Sequence, residues 1–486
     1  MRKTIVFYLN GKRHEVDGKM ALMTVSDFLR YEKSLTGTKV VCAEGDCGAC
    51  TVLLSRMIGG KLSPYRTMNS CISFIYSLDR CHLISVEGLK LNQELHPVQA
   101  SMVQHQGAQC GYCTPGFICS LASMTEDAKL EGFPIDRKKV QNYTTGNLCR
   151  CTGYEPIIEA GCNVNLDKVT SIRNLYQDEV IEKDLNSLGL ESVQIEGENS
   201  LIFLPAGLNE AVQFKAQYPD TRLASGSTDL GVLSNKGKLK LTRVLGLHQI
   251  AELYEIKEES DALIIGARAS LSDLENASKS CFPEFSKMLH LFASPQIKNS
   301  GTLVGNLMNG SPIADTIPFL RVAEAEVVLM STAGTRTLNI NEFILPGYKQ
   351  MQVKADELLV SIRIPKSPHR YKLYKVSTRK DLDISTVTFA ARYLMDGLRV
   401  SEFSLALGGV GPSVLRMSDI EKRIQGNVLT QALLQSVATS LRTEIKPLSD
   451  VRGSSEYRHQ LCHNLVLKFF DEVAAECGIK ATEASV

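Results

Sequence analysis

Apolar and polar positions alternate from the start of the chain. Residues 3–9 (KTIVFYL) are rich in β-branched and aromatic residues and read as a strand. Asn10-Gly11 favours the backbone of a two-residue hairpin turn, so KRHEV (12–16) is predicted to return as a second strand. A short helix is expected from Thr24 or Ser26 through SDFLRYE, then a glycine-bearing loop, a strand at Thr51–Leu54 and another in HLISVEG. These elements make a small α+β domain over residues 1–88. The period then changes. After Pro97, VQASMVQHQ and FICSLASM show helical spacing with few β-branched runs, which predicts a compact helical domain over 89–165. Residues 166–197 are charged, weakly periodic and poor in aromatics, the pattern of a linker. From Leu201 onward strand-like pieces (LIFLPA, LIIGA, EVVLM) alternate with helical ones such as LNEAVQFKAQ. The break Pro365-Lys366-Ser367-Pro368 divides this stretch into a domain at 198–367 and a final α+β portion at 368–486. The pattern thus predicts an α+β multidomain protein.

Composition narrows the function. The 486 residues include 54 Lys+Arg against 53 Asp+Glu, a formal net charge of +1. No basic excess marks a nucleic-acid partner. No stretch approaches the roughly 18 to 20 consecutive apolar residues of a membrane helix, so no membrane association is expected. The N-terminal run MRKTIVFYLNGKRHEV is too short in apolar residues for a signal-peptide core, which points to the cytoplasm.

Cysteine changes the picture most. Ten of the 14 cysteines lie between Cys42 and Cys151. A disulfide scaffold suits neither this length nor a reducing compartment, so metal binding or redox chemistry is expected instead. In CAEGDCGACTVLL, Cys42, Cys47 and Cys50 have the spacing C-x4-C-x2-C, and Cys71 follows. This is the plant-type spacing for a [2Fe-2S] cluster, in which three thiolates converge from one tight loop and the fourth arrives from elsewhere. Gly45 and Gly48 allow the backbone to pass close and aim N–H groups at the sulfurs. Zinc, the alternative, ordinarily uses short knuckles of a different spacing. A second group pairs Cys110-Gly111-Tyr112-Cys113 with Cys149-Arg150-Cys151. Two such pairs alone could hold zinc. Directly after a ferredoxin-like unit they read better as a second [2Fe-2S] site, and two clusters in tandem make an electron wire.

Here a family resemblance enters. The runs QCGYCTPG (109–116) and GNLCRCTGY (146–154) resemble the second iron–sulfur domain of the molybdenum hydroxylases, and GDCGACTVLL resembles that family's N-terminal ferredoxin domain. The remaining cysteines (Cys81, Cys119, Cys162, Cys281, Cys462 and Cys477) match neither motif and read as small buried hydrophobes. No dinucleotide or P-loop glycine fingerprint occurs in the sequence. RLASGSTDLG (222–231) has the small residues and backbone N–H groups to wrap a pyrophosphate, although a simple glycine-bearing turn has the same composition. FASPQIKNSGTLVGNLMNGSPIADTIPFL (292–320) offers a polar surface of small residues. Both segments resemble the family's FAD-binding domain.

The resemblance implies an architecture and a site. The expected fold is α+β multidomain: a β-grasp ferredoxin domain, a helical [2Fe-2S] domain, and a two-part α+β FAD-binding domain of the vanillyl-alcohol-oxidase type with a C-terminal α+β flavin-module domain. The family's flavin loop maps onto Arg222, Leu223, Ala224, Ser225, Gly226, Ser227, Thr228, Asp229 and Leu230. Its isoalloxazine-side aromatic maps onto Phe292, and its phosphate and ribose contacts onto Thr302, Gly305, Asn306 and Asp315. As a bare sequence feature, Asp315 also reads as an N-cap before TIPFLRVAEA. Val304 stands where the family usually has a glycine. RKDLDIS (379–385) resembles the start of the C-terminal flavin-module domain, with Asp383 and Ile384 as its usual pair.

The domain order resembles that of the small subunit of two-subunit bacterial xanthine dehydrogenases. That implies two [2Fe-2S] clusters and FAD on this chain, and molybdopterin only on a large partner subunit. It also implies a heterotetramer of two small and two large chains, with NAD+ as electron acceptor. Electrons released by purine hydroxylation would enter at the Cys110/Cys113/Cys149/Cys151 cluster, pass to the Cys42/Cys47/Cys50/Cys71 cluster, and load FAD. Alternatives are the small subunit of another molybdenum hydroxylase, acting on an aldehyde or aromatic substrate, or a stand-alone iron–sulfur flavoprotein reductase. No general base or nucleophile is expected on this chain, and the nine histidines read as ordinary residues.

Overall fold

The computed structural model describes residues 1–90, 94–380 and 382–477. Asp381, within the 379–385 run, and the end of the last domain, 478–486, lie outside them. Two compact units form, Met1–Glu252 with Ser294–Gly301, and Leu253–Ala293 with Thr302–Val486.

In the first unit, β1 (Ile5–Leu9) and β2 (Lys12–Val16) pair antiparallel from Ile5 with Val16 to Leu9 with Lys12. Asn10 and Gly11 both take positive φ, 48° and 77°, as the predicted tight turn requires. The sheet is completed by β3 (Thr51–Ile58), β4 (Lys61–Leu62), β5 (Arg66–Asn69) and β6 (Cys81–Ile84), in the order β2-β1-β6-β3-β4, with β5 on β3. Only β1 and β6 run parallel in this sheet. The helix expected from Thr24 forms at Val25–Asp27, capped by the Thr24 hydroxyl, and continues as a wider turn through Glu32. Its Phe28 and Leu29 join Phe7, Phe74 and Tyr76 in a buried cluster.

The helical part contains Pro97–Gln104, Thr114–Glu131, Arg137–Thr144 and Glu155–Cys162. Phe117, Leu121, Met124 and Ile157 bury against one another and against Leu53 and Ile84 of the sheet. A four-stranded sheet follows in the same unit: β7 (Val193–Gly197), β8 (Ser200–Leu204), β9 (Arg222–Ala224) and β10 (Arg243–Gly246), ordered β7-β8-β10-β9.

The expected linker at 166–197 is a correction. Its residues form helices at Ile172–Leu175 and Asp178–Ser187, and Val193–Gly197 is a strand. The second helix buries only Ile181 and Leu185 with Asp178, a stripe too narrow to stand out as a periodic signal. Its carboxylates do the anchoring. Asp184 accepts from the Tyr8 hydroxyl at 3.0 Å, and Glu182 from the Leu62 amide at 2.8 Å. Asp178 accepts from the Tyr65 hydroxyl at 2.7 Å. The Tyr65 oxygen lies 2.6 Å from His82 Nδ1, and the amide of Gly11 donates to His82 Nε2 at 3.1 Å. This places the imidazole proton on Nδ1. Burial holds His82 below its ordinary pKa.

Glu126 accepts from the amide of Ile172 at the head of this strap, and burial pushes its carboxyl up to about 7. A folded pKa above the unfolded value means the native state binds the extra proton. This contribution is therefore full below about pH 4.5 and fades as pH rises through about 7. Glu126→Gln should flatten stability across that window, and denaturant titrations at pH 5 and pH 8 check it.

In the second unit, β11 (Ile256–Glu258), β12 (Ala262–Gly266), β13 (Glu326–Ser331), β14 (Gly334–Asn339) and β15 (Leu358–Pro365) form an antiparallel sheet ordered β11-β12-β15-β13-β14. β15 ends at Pro365, and the next strand opens another sheet: β16 (Arg370–Val376), β17 (Val387–Asp396), β18 (Arg399–Gly408) and β19 (Leu415–Arg416). Helices Gln431–Glu444 and Ser455–Glu476 cover it, burying Phe389, Tyr393, Phe403 and Phe469 with Leu434 and Leu441. Among the described residues no helix is long and apolar enough to cross a membrane.

Candidate cofactor sites

All 14 cysteines are free thiols, and the eight singled out by spacing come together in two groups. In the first, Cys50 lies 3.3 Å from Cys71, sulfur to sulfur, and Cys42 is in thiol contact with Cys47 and Cys71. Cys50 and Cys71 are buried, Cys42 and Cys47 half-buried. Ala43, Gly45 and Gly48 all take positive φ and curl the loop around the sulfurs. Gly48 is fixed sterically as well: a β-carbon there would stand 2.2 Å from the carbonyl oxygen of Gly146. The amide of Glu44 points at Cys42 Sγ (3.4 Å), those of Gly45 and Ala49 at Cys71 and Cys47, and the Asn69 side chain at Cys50 (3.7 Å). The thiol contacts with Cys47 and Cys71 hold Cys42 far below the ordinary thiol range, and thiol contacts, then burial, push Cys47 and Cys71 above it.

In the second group, Cys113 contacts Cys149, and Cys110 contacts Cys151. Cys110 and Cys151 are exposed. Burial, then the neighbouring Cys149, pushes Cys113 up to about 12. Against the upward push of burial, the Thr152 hydroxyl (3.2 Å) and amide (3.5 Å) hold Cys149 below its ordinary value.

Four thiols in mutual contact, with N–H donors aimed at sulfur, fit a [2Fe-2S] cluster, in which the two irons share four thiolates. Of the six remaining cysteines, Cys81, Cys119 and Cys462 are buried as expected, while Cys162, Cys281 and Cys477 are half-buried.

The two cysteine loops touch. The amide of Leu148, next to Cys149, donates to the carbonyl of Cys47 at 3.0 Å. On its other side the first loop meets the segment read as the flavin loop. Asn235 donates to the carbonyls of Cys71 (2.8 Å) and Ala43 (2.9 Å), and Gly231 packs on the backbone of Ile72.

That segment is strand, turn and helix: β9 ends at Ala224, Ser227 takes φ 59°, and a helix runs Thr228–Asn235. No side chain of the N-cap residue Ser227 caps this helix. Gly226 is required by close approach, since a β-carbon would stand 2.3 Å from the carbonyl of Ser300. Leu223, Ser225, Thr228 and Leu230 are half-buried, while Arg222 and Asp229 are exposed.

The other residues read as flavin contacts belong to the second unit. Phe292 is half-buried at the end of helix Pro283–Leu291. Thr302 caps helix Leu303–Asn309, accepting from the Gly305 amide at 3.0 Å, and Gly305 is exposed on its first turn. Val304 is buried, so its side chain faces the core. Asn306 accepts from the Thr316 hydroxyl at 2.6 Å, which brings it beside Asp315.

Asp315 is not a side-chain cap for helix Thr316–Val322. Its carboxylate is held by Lys375 Nζ at 2.7 Å and by the Ser385 hydroxyl, all of them buried. Lys375 also donates to Ser385 (2.6 Å) and to the carbonyl of Asp383 (2.9 Å), so its three donors are spent. Sequence reasoning missed Lys375, which lies in an ordinary strand pattern. It also missed Asn147 and Gln296, two amides inside motifs quoted for their neighbours.

Comparison with known proteins covers nearly the whole chain. Residues 7–75 match the 2Fe-2S iron–sulfur cluster binding domain, and 85–162 the [2Fe-2S] binding domain. Residues 194–367 match the FAD binding domain in molybdopterin dehydrogenase, and 372–473 the CO dehydrogenase flavoprotein C-terminal domain. Xanthine dehydrogenase of Drosophila subobscura is 29% identical over 99% of this chain and 40% of its own length. Xanthine dehydrogenase 1 of Arabidopsis thaliana is 29% identical over 96% of this chain and 39% of its own. The chain thus spans about two fifths of the length of these curated relatives. Among solved structures, a chain of carbon monoxide dehydrogenase from Hydrogenophaga pseudoflava aligns with TM-score 0.53 and 26% identity, covering 55% of this chain and 94% of that one. A chain of quinoline 2-oxidoreductase from Pseudomonas putida 86 gives TM-score 0.53 and 25% identity over 57% and 97%. With two [2Fe-2S] domains, an FAD-binding domain and its C-terminal partner in one order, the chain matches the iron–sulfur and FAD part of the molybdenum hydroxylase family.

Proposed function

We propose that this chain is the electron-transfer small subunit of an NAD-dependent xanthine dehydrogenase. It would work in the cytoplasm beside a molybdopterin-bearing large subunit that oxidises hypoxanthine and xanthine to urate, in a complex of two small and two large chains. The observation that carries this reading is the order of contacts in the first unit. The Cys110/Cys113/Cys149/Cys151 loops reach the surface, with Cys110 and Cys151 exposed. Cys47 is bonded to the residue beside Cys149, and Cys71 to the helix that follows the flavin loop. When bound, the two [2Fe-2S] clusters carry electrons singly, and FAD takes them singly and gives up a pair as hydride to NAD+.

The residues of the chain supply position and environment. Backbone amides of Glu44, Gly45 and Ala49 aim at the thiolates of the first loop, and Thr152 serves Cys149 likewise. Arg222–Leu230 would hold the flavin's pyrophosphate on backbone amides. Phe292, Thr302, Gly305, Asn306 and Asp315, in the second unit, are the further residues that the family resemblance assigns to flavin binding. No residue here needs to act as a general base. The xanthine dehydrogenase relatives favour a purine, whereas the quinoline and carbon monoxide enzymes among the structural neighbours favour the second reading, a subunit serving another substrate.

Purification of the tagged chain from its native cells tests this. A molybdopterin subunit should accompany it in equal amount, and the complex should reduce NAD+ with xanthine. Activity with an aldehyde or an aromatic heterocycle alone selects the second reading, and absence of any molybdenum partner leaves a stand-alone reductase.

A further inference from the structure

Gln296 belongs to the short helix Pro295–Ser300, at the centre of the sequence matched to the FAD domain, yet it packs in the junction of the two cysteine loops. Its side chain is fully buried. Gln296 Nε2 donates to Thr51 Oγ1 and Asn147 Oδ1, each at 3.1 Å, and lies 3.4 Å from Ser120 Oγ. Every partner is buried too. Thr51 and Asn147 both donate to the carbonyl of Gly48, at 2.6 and 3.0 Å, and Ser120 donates to Asn147 at 2.7 Å. The network therefore grips the peptide after Gly48 from one side and Asn147 from the other. Between them lies the bond from the Leu148 amide to the Cys47 carbonyl, which sits on a cysteine of the first group and one residue from Cys149 of the second. The same helix places Ile297 among Cys50, Cys71 and Ile72, while Ser300 packs on Gly226.

We infer that Gln296 is a positioning residue for electron transfer between the two iron–sulfur sites: it fixes the Cys47–Leu148 hydrogen bond as the covalent-to-covalent bridge between them. This rests on the reading that both cysteine groups hold [2Fe-2S] clusters. Removing the Gln296 Nε2 donor takes away the group that ties Thr51 to Asn147, while Thr51 keeps its bond to Gly48 and Asn147 its bond from Ser120, so the bridge should loosen while the thiols stay in place. The binding of the clusters themselves does not pass through Gln296, which touches no sulfur ligand by hydrogen bond.

The test uses the purified protein carrying iron and flavin, with Gln296→Leu, which removes the amide, and Gln296→Glu, which keeps its volume but removes the donor. Iron content and the two reduced-cluster signals are read first, then the magnetic splitting between the clusters and the inter-cluster rate after rapid one-electron reduction. Full iron, altered splitting and a rate lowered about tenfold in both variants are expected, the low end of what loss of an outer partner costs at metal sites. Full iron with unchanged splitting and rate would overturn the proposal. Loss of iron in both variants would also overturn it, because Gln296 would then hold the loops together instead of aligning the bridge. If the unsubstituted protein lacks two iron–sulfur signals, the cluster reading fails independently of Gln296.

Discussion

Asp315→Ala is expected to destabilise the second unit by about 3–5 kcal/mol, the cost of leaving one half of a buried ion pair uncompensated. The Lys375 ammonium would keep the Ser385 hydroxyl and the Asp383 carbonyl but lose the carboxylate that balances its charge. At about 2–4 °C per kcal/mol for a domain of this size, the melting temperature should fall by roughly 6–20 °C. Asp315→Asn should cost less, since an amide oxygen still accepts from Ser385 or Lys375. The double substitution Asp315→Ala with Lys375→Met should recover much of the loss, because it removes the stranded charge. Flavin affinity measured on the same samples separates the two roles proposed for this residue. A drop in affinity in Asp315→Asn at nearly unchanged melting temperature would mark a direct cofactor contact. A drop only where the unit is destabilised would mark Asp315 as the brace of the 383–385 turn.

The second large effect concerns the exposed cysteine group. Cys151→Ser should abolish or strongly alter one of two reduced [2Fe-2S] signals and remove about half the iron, because a hydroxyl replaces a soft thiolate poorly on iron. The Cys42 loop should keep its signal. Cys151 contacts Cys110 and no thiol of the first group, and the first group's Cys50 and Cys71 are buried independently of it. Cys50→Ser should give the complementary pattern. Loss of both signals in either variant, with the fold intact by circular dichroism, would contradict two separate sites.

Much of this organisation was legible in the sequence, for physical reasons that differ from place to place. The β1–β2 hairpin was readable because Asn10-Gly11 fixes a turn and hence a register, Ile5 against Val16. The cysteine groups were readable because cluster chemistry demands fixed spacing. The strap at 172–187 was not. Its helix docks through Asp178, Glu182 and Asp184, and a carboxylate that seeks a tyrosine hydroxyl or a backbone amide looks like a solvated charge in sequence. Gln296 and Asn147 were hidden for a similar reason: an amide gives no periodic or spacing signal, and its meaning lies in partners 149 residues apart. Asp315 was found by resemblance, but its grip on Lys375, 60 residues on, could be seen only in three dimensions.

Metal and flavin analysis of the purified chain tests the central assignment most directly. About four irons per FAD are expected, with acid-labile sulfide equal to iron, two distinct signals on reduction, and no stoichiometric zinc. About two irons per FAD, or zinc in place of iron at the Cys110/Cys113/Cys149/Cys151 group, would contradict it.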